Sequence, residues 1–233
     1  MRRSEITEKR YCLESAAKSY EEAMRTDHPT WAPRAAVKLG PVHEVLGNQT
    51  DALAAYRYAM ESHHPDWGPE GAFKLALLGS TSDIVGDTEN LAAARFSINS
   101  EHTNWAPKAM TLLGRMLEKK GDFEVARAAY ERALESRAED TAATAAIYLG
   151  WLLEKEGDLE GAAATYRRGI DFGAKEYSPA AAIYLGKLLE KQGDPEGARG
   201  AYQTAINSGD RKLARTAQRS IRALSGKKRW WQT

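Results

Sequence analysis

The chain has 233 residues, of which 42% are hydrophobic and 28% are charged, and its formal net charge is +1. This apolar content is enough for an extended core and excludes wholesale disorder, while the near-neutral balance predicts no polyanionic partner for the chain as a whole. The single cysteine, Cys12, allows no internal disulfide and fits a reducing compartment.

The basic start of the chain, residues 1–6, is not followed by an apolar run of signal-peptide length. No stretch of the sequence reaches the roughly 20 consecutive apolar residues that a membrane-spanning helix needs. We therefore expect a soluble, cytoplasmic protein.

A half repeat opens the series of predicted helices. Ala16, Tyr20 and Ala23 follow each other at spacings of four and three residues, which places them on one face of a helix. A complete repeat comes next, in which a Leu-Gly pair and a Gly-Asn turn precede the same Ala–Tyr–Ala spacing. Its members are Leu39, Gly40, Gly47, Asn48, Ala52, Tyr56 and Ala59.

Two irregularities are predicted in the first half of the chain. Pro41 stands inside a predicted first helix, where proline removes a hydrogen bond, so we expect an irregular helix over residues 41–46. Residues 69–100 form a degraded repeat, in which Leu75-Ala76 takes the place of Leu-Gly and residues 80–85 loosen the turn.

The repeat is regular from about Thr111 to Ser208, where Gly-Asp recurs every 36 residues, at 121–122, 157–158 and 193–194. Glycine permits the left-handed conformation that ends a helix, and the aspartate after it can cap the next helix. Prolines at one repeat position mark the first turn of a helix, where a missing N–H costs little. They are Pro33, Pro69, Pro107 and Pro179.

These elements predict an all-α solenoid of helix–turn–helix repeats, because one repeat cannot bury its apolar face alone. We expect a single domain over residues 1–226, with a half repeat at 4–27 and a capping helix at about 210–224. A basic and aromatic tail then covers residues 227–233. The complete repeats are predicted to start near residues 32, 68, 106, 142 and 178.

The repeat resembles the tetratricopeptide (TPR) family, whose pattern has Leu-Gly in the first helix and Ala, Tyr or Phe, and Ala in the second. In two successive repeats these places are held by Leu149, Gly150, Ala162, Tyr166 and Gly169, and by Leu185, Gly186, Ala198, Tyr202 and Ala205. The family's early Trp and closing Pro are absent. The repeat is longer than the family's roughly 34 residues, and in this length it resembles Sel1-like repeats. Its sequence pattern is similar to that of actinobacterial, hence bacterial, TPR arrays.

The resemblance implies a right-handed α-solenoid of about five to six repeats that acts as a protein-binding scaffold or adaptor. In that family the first helix of each pair lines a concave groove, which suits a protein or peptide with carboxylates and apolar side chains. The groove residues that correspond by position are Arg34, Lys38, Lys74, Lys108, Arg115, Tyr148, Trp151, Tyr184 and Lys187.

A secondary surface combines three tryptophans and the basic C-terminus. The tryptophans either pack against their own helices or form a docking strip, and the basic residues either cap the solenoid or contact an anionic partner. The alternative function is therefore a regulatory or self-associating protein that uses the tryptophan edge or the basic tail, either as a homo-oligomer or in contact with nucleic acid or a membrane surface. The residues are Trp31, Trp67, Trp105, Arg219, Arg222, Lys227, Lys228, Arg229, Trp230 and Trp231.

Catalytic chemistry is not indicated. His28, His64 and His102 occupy one repeat position, which predicts structural or solvated side chains instead of metal ligands. Glutamates that recur in register, Glu118, Glu154 and Glu190, are interpreted as serving their own repeats. We expect no enzyme activity, no cofactor, no metal and no small-molecule substrate.

Overall fold

The structure is a computed structural model that describes residues 3–82 and 84–230, with side chains over 7–82 and 84–224. All regular secondary structure in these ranges is α-helical, so the all-α helix–turn–helix fold class is confirmed. The twelve helices within them are α1 Arg3–Arg25, α2 Trp31–Leu46, α3 Gln49–Glu61, α4 Trp67–Thr81, α5 Asp87–Asn99, α6 Trp105–Lys120, α7 Phe123–Leu134, α8 Glu139–Glu156, α9 Leu159–Asp171, α10 Ser178–Lys191, α11 Pro195–Asn207 and α12 Arg211–Trp230.

The chain divides into two compact units, Met1–Met116 and Leu117–Thr233, called the N-terminal and C-terminal units below. In the N-terminal unit the helices α1 through α5 pack one on another in chain order, and α2 also contacts α4. In the C-terminal unit the same holds from α7 to α12, with α8 against α10 and α10 against α12. First helices therefore contact first helices, which is how helix pairs stack in a solenoid.

The turn glycines have the predicted left-handed backbone, but only two of the three predicted aspartate caps form, since Asp122 makes no side-chain cap at the start of α7. The glycines after α2, α6, α8 and α10 have left-handed backbones with φ between 79° and 89°. Asp158 and Asp194 then cap the following helices, because their carboxylates accept hydrogen bonds from the amides of Gly161 and Gly197 at 2.9 and 2.8 Å.

Helices α2, α4 and α6 start with a different cap. The Nδ1 atom of His64 accepts hydrogen bonds from the amides of Asp66 and Trp67 at 3.1 and 3.4 Å. The Nδ1 atoms of His28 and His102 likewise accept hydrogen bonds from the amides of the residues two and three positions later in the chain. These histidines therefore satisfy amides at a helix start that have no partner within the helix.

A tyrosine fills the centre of the regular repeats. Tyr56, Tyr130, Tyr166 and Tyr202 are completely buried. A Cβ atom at the glycine of the Leu-Gly pair would overlap the tyrosine ring, as for Gly150 against Tyr166. The same overlap arises for Gly40 against Tyr56 and for Gly186 against Tyr202. Glycine is therefore required by the size of the ring opposite.

Each buried phenol also needs a hydrogen-bond acceptor. Tyr166 donates to Glu154 at 2.7 Å, and Tyr130 donates to Glu118 at 3.1 Å. Tyr202 donates to Glu190 at 3.3 Å, and Tyr56 donates to Glu44. The glutamates that recur in register thus serve their own repeats, as interpreted from the sequence.

The degraded repeat lacks the pairing of a large tyrosine with a glycine opposite it. Ala94, which lies 36 residues before Tyr130, is small, and the glycine position is held by Ala76. Both alanines are fully buried in one core cluster. Nearby, the larger Asn90 replaces an alanine, and Gly79 makes room for it, because a Cβ there would overlap the Asn90 amide. In this repeat a glycine thus accommodates an asparagine where the regular repeats pair glycine with tyrosine.

The prediction of an irregular helix over residues 41–46 is wrong, because α2 continues as an α-helix through Pro41 to Leu46. Proline removes one hydrogen bond to the preceding turn. The turn is retained because His43 is buried after it and Glu44 accepts the hydrogen bond of Tyr56. Tertiary contacts outweigh the local preference here.

Glycine variants test this packing. We expect Gly150→Ala to lower the free energy of unfolding by about 1–3 kcal/mol, since the added methyl group overpacks against Tyr166. The control is Gly200→Ala in α11, where nothing lies within 4 Å of the added atom. That change should raise stability by about 0.5–1 kcal/mol through helix propensity. Urea denaturation measures both, and equal effects would contradict the packing.

The tyrosines predict a loss of stability in alkali. Burial, reinforced by the Glu190 carboxylate, raises the pKa of Tyr202 to about 12, and burial also raises the pKa of Tyr56 and Tyr166. Unfolded tyrosines lose their protons near pH 10 while the folded ones keep theirs. The free energy of unfolding should therefore fall between about pH 10 and 12, by on the order of 1 kcal/mol per pH unit for each residue. Denaturation of Tyr166→Phe should show a weaker pH dependence, and an unchanged one would contradict this.

Candidate functional site

The C-terminal unit presents an aromatic cluster, here called the Tyr–Trp surface, formed by Tyr148 and Trp151 of α8 and by Tyr184 and Lys187 of α10. Its inner layer rests on the buried tyrosines. Tyr148 stacks on Tyr130 at 5.9 Å between ring centroids, and Tyr184 stacks on Tyr166 at 6.1 Å. The core tyrosine of one repeat thus supports an aromatic residue on the first helix of the next.

Trp151 forms the outer layer of the Tyr–Trp surface. Its ring lies edge-on to Tyr148 at 5.2 Å and to Tyr184 at 4.9 Å, with interplanar angles of 88° and 89°. Edge-to-face pairs are favourable because the positive ring edge meets the negative face. Trp151 nevertheless stays 37% exposed. It is therefore a large apolar side chain that is fixed in orientation and available to a partner.

Charge and hydrogen-bonding groups flank this tryptophan. The Nζ atom of Lys187 lies 5.2 Å from the centroid of the Tyr184 ring. Burial, followed by the neighbouring Tyr148, raises the pKa of the Tyr184 phenol. The surface combines an exposed indole, a phenol and an ammonium group.

The N-terminal unit presents a second cluster, called the Trp–Arg surface, formed by Trp31, Arg34 and Trp67. The Arg34 guanidinium lies 5.2 Å from the ring centroid of Trp31 and 5.5 Å from that of Trp67. Arginine between two indoles gains cation–π attraction from both. Trp31 is 54% exposed, whereas Trp67 is partly buried against the core around Val37.

Trp105 repeats this arrangement farther along the same unit. Its ring lies 5.4 Å from Phe73 of the preceding first helix, and Lys108 lies 4.6 Å above it. Trp31, Trp67 and Trp105 are each the first residue of their helices. Trp67 and Trp105 pack on the previous first helix, while Trp31 is the most exposed of the three.

The other predicted groove residues have different surroundings. Lys74 lies 3.8 Å from Glu70 and 5.9 Å above the Tyr56 ring, the layer that Tyr148 and Tyr184 occupy in the C-terminal unit. Lys38 is exposed on α2, and Arg115 is exposed on α6. The structure therefore groups Arg34 with Trp31 and Trp67, and Lys108 with Trp105, but directs Lys74 toward Glu70.

The predicted basic C-terminus is helical further than expected, because α12 extends to Trp230. Arg219 and Arg222 are exposed on it. The predictions for the remaining members concern side chains outside the described residues. These are Lys227, Lys228, Arg229, Trp230 and Trp231.

Two further observations concern metal and membrane. Within the described side chains, no group of three or more His, Cys, Asp or Glu residues could hold a metal ion. In the same part of the chain, no helix combines the length and apolar character that crossing a membrane requires.

Sequence reasoning missed how these surfaces are built. The recurrence of Lys74, Tyr148 and Tyr184 at one repeat position was a signal that they share one layer. The edge-on position of Trp151 had no such signal, since it depends on the rotamers of two neighbouring helices.

Comparisons with solved structures show the same fold. The chain is similar to BtubC from P. vanneervenii, with 19% identity and a TM-score of 0.69 over 84% of this chain and 89% of that one. It is similar to PilF of Pseudomonas aeruginosa, with 17% identity, a TM-score of 0.63 and 90% of each chain covered. For MamA the identity is 19% and the TM-score 0.56, over 76% and 97% of the two chains.

A comparison with curated protein sequences gives no match. The family model described as "Tetratricopeptide repeat-like domain" matches residues 81–225, which is more than half of the chain. This range includes the regular repeats and the Tyr–Trp surface. The chain therefore belongs to the tetratricopeptide repeat-like domain family.

Proposed function

We propose that the chain is a protein-interaction scaffold that binds a peptide or protein segment through the Tyr–Trp surface. The observation that carries the proposal is Trp151, which is exposed yet wedged between two tyrosines. Aromatic side chains that are already ordered lose little conformational entropy when a partner binds. Exposed tryptophans and tyrosines with these properties are common among residues that dominate binding energy.

The chemistry around Trp151 favours a particular partner. An apolar side chain would cover the indole, and a neighbouring carboxylate would meet the Lys187 ammonium. In the N-terminal unit, Arg34 offers a guanidinium held between indoles, which also suits a carboxylate. We infer a segment in which apolar and acidic residues alternate, with no catalytic role for the chain. Sel1-like character, bacterial origin, cytoplasmic location and self-association stay predictions.

A photo-crosslinking experiment tests this site. A photoreactive phenylalanine analogue is placed at Trp151 and, as the matched control, at Leu159, which is also 37% exposed but lies on second helix α9. We expect a protein from the native cell to crosslink from position 151 and not from position 159. Equal crosslinking from both positions would contradict the proposed surface.

Binding to the captured partner then gives the magnitude. Trp151→Ala should weaken the affinity at least tenfold, or about 1.4 kcal/mol, because it removes the exposed anchor. Leu159→Ala should change it less than twofold. Urea midpoints of both variants show whether the fold is retained, and an unchanged affinity for Trp151→Ala overturns the assignment.

A further inference from the structure

Helix α12 has an outer surface of one charge sign, called the basic face, formed by Arg211, Lys212, Arg215, Arg219 and Arg222. All five side chains are exposed. The sequence of α12 contains no aspartate or glutamate, and it continues with Lys227, Lys228 and Arg229. The near-neutral chain therefore concentrates positive charge on one helix.

The opposite side of α12 is apolar and covered. Ala217 and Leu224 are buried, and Leu213 and Ile221 are partly buried. Helix α12 packs on α11 and also touches α10. Its orientation is therefore set by the core, and the basic face points away from it.

Carboxylates do not neutralise the basic face. Asp210, the nearest in sequence, accepts hydrogen bonds from the amides of Lys212 and Leu213 at 2.8 Å each and thereby caps the helix. Among the described side chains, none of the five cations forms an ion pair. Elsewhere in the same unit, Lys191 pairs with Glu154 at 2.9 Å, and Arg127 pairs with Glu156.

The composition of the basic face discriminates between anionic partners. A membrane-surface helix must insert an apolar face, but that of α12 is already packed. Stable protein interfaces have an apolar centre depleted of charge, and the basic face has no large apolar residue. Nucleic-acid interfaces are more polar and far more positive, and arginine binds phosphate with two hydrogen bonds.

We propose that the basic face of α12 binds the phosphate backbone of duplex nucleic acid. From Arg211 to Arg222 it extends about 16 Å along the helix, at roughly 1.5 Å per residue. A duplex carries one charge per roughly 1.7 Å of its axis, so this length faces several phosphates. The proposal concerns phosphate contacts, which position a protein on the duplex but carry no base-sequence information. The basic face shares no residue with the Tyr–Trp surface.

Fluorescence anisotropy with a labelled 20-base-pair DNA duplex and the full chain tests this. Five neutralised phosphates predict that log K falls against log salt with a slope of about −4 or steeper between 50 and 200 mM salt. The Arg215→Glu/Arg219→Glu variant should bind more than tenfold more weakly at 50 mM salt, and its slope should be shallower by about 2.

The control is Arg132→Glu/Arg167→Glu, which makes the same charge change at exposed positions on second helices α7 and α9. It should bind the duplex within threefold of the unaltered chain. Absence of duplex binding at 50 mM salt, or equal losses in both variants, overturns the proposal. Tighter binding to phosphatidylglycerol-containing vesicles or to polyglutamate than to the duplex also overturns it, in favour of a lipid or acidic-protein partner.

Discussion

The structure depends on one recurring contact between a buried tyrosine and a glycine on the first helix, made at Gly40, Gly150 and Gly186. The ring of Tyr166 occupies the space that a side chain at position 150 would need. Its phenol is buried, and this is tolerated because Glu154 accepts its hydrogen bond. One residue therefore sets the spacing of the two helices and explains why a glutamate recurs twelve residues earlier.

The same tyrosines determine where the candidate site lies. Tyr184 stacks on Tyr166, and Trp151 is held edge-on against Tyr184. The exposed indole is thus connected to the buried Tyr166 through successive ring contacts. Because the core tyrosine recurs, an array of such repeats can vary its outer residues, as with Lys187 and Trp151, without changing the support beneath them. The proposed binding chemistry and the fold therefore depend on different positions of one repeat.

Much of this fold could be predicted from the sequence, because its decisive contacts are local and periodic. The turn glycines, the caps made by Asp158 and Asp194, and the register of Tyr166 with Gly150 all follow from spacing. Features that depend on other helices could not be predicted. The cap made by His64 depends on a specific loop conformation. The edge-to-face contacts of Trp151 require side chains from two helices, and Pro41 is accommodated by contacts from α3. The residues of the Tyr–Trp surface were predicted by position, but their mutual contacts were not.

The degraded repeat supplies the most direct test of the central contact, since Ala76 and Ala94 there replace glycine and tyrosine together. A double-mutant cycle in urea reproduces that pair with Gly150→Ala and Tyr166→Ala. If the ring makes glycine necessary, Gly150→Ala destabilises the unaltered chain by about 1–3 kcal/mol and costs nothing once Tyr166 is alanine. Additive effects, with the same loss from Gly150→Ala in both backgrounds, would contradict the account.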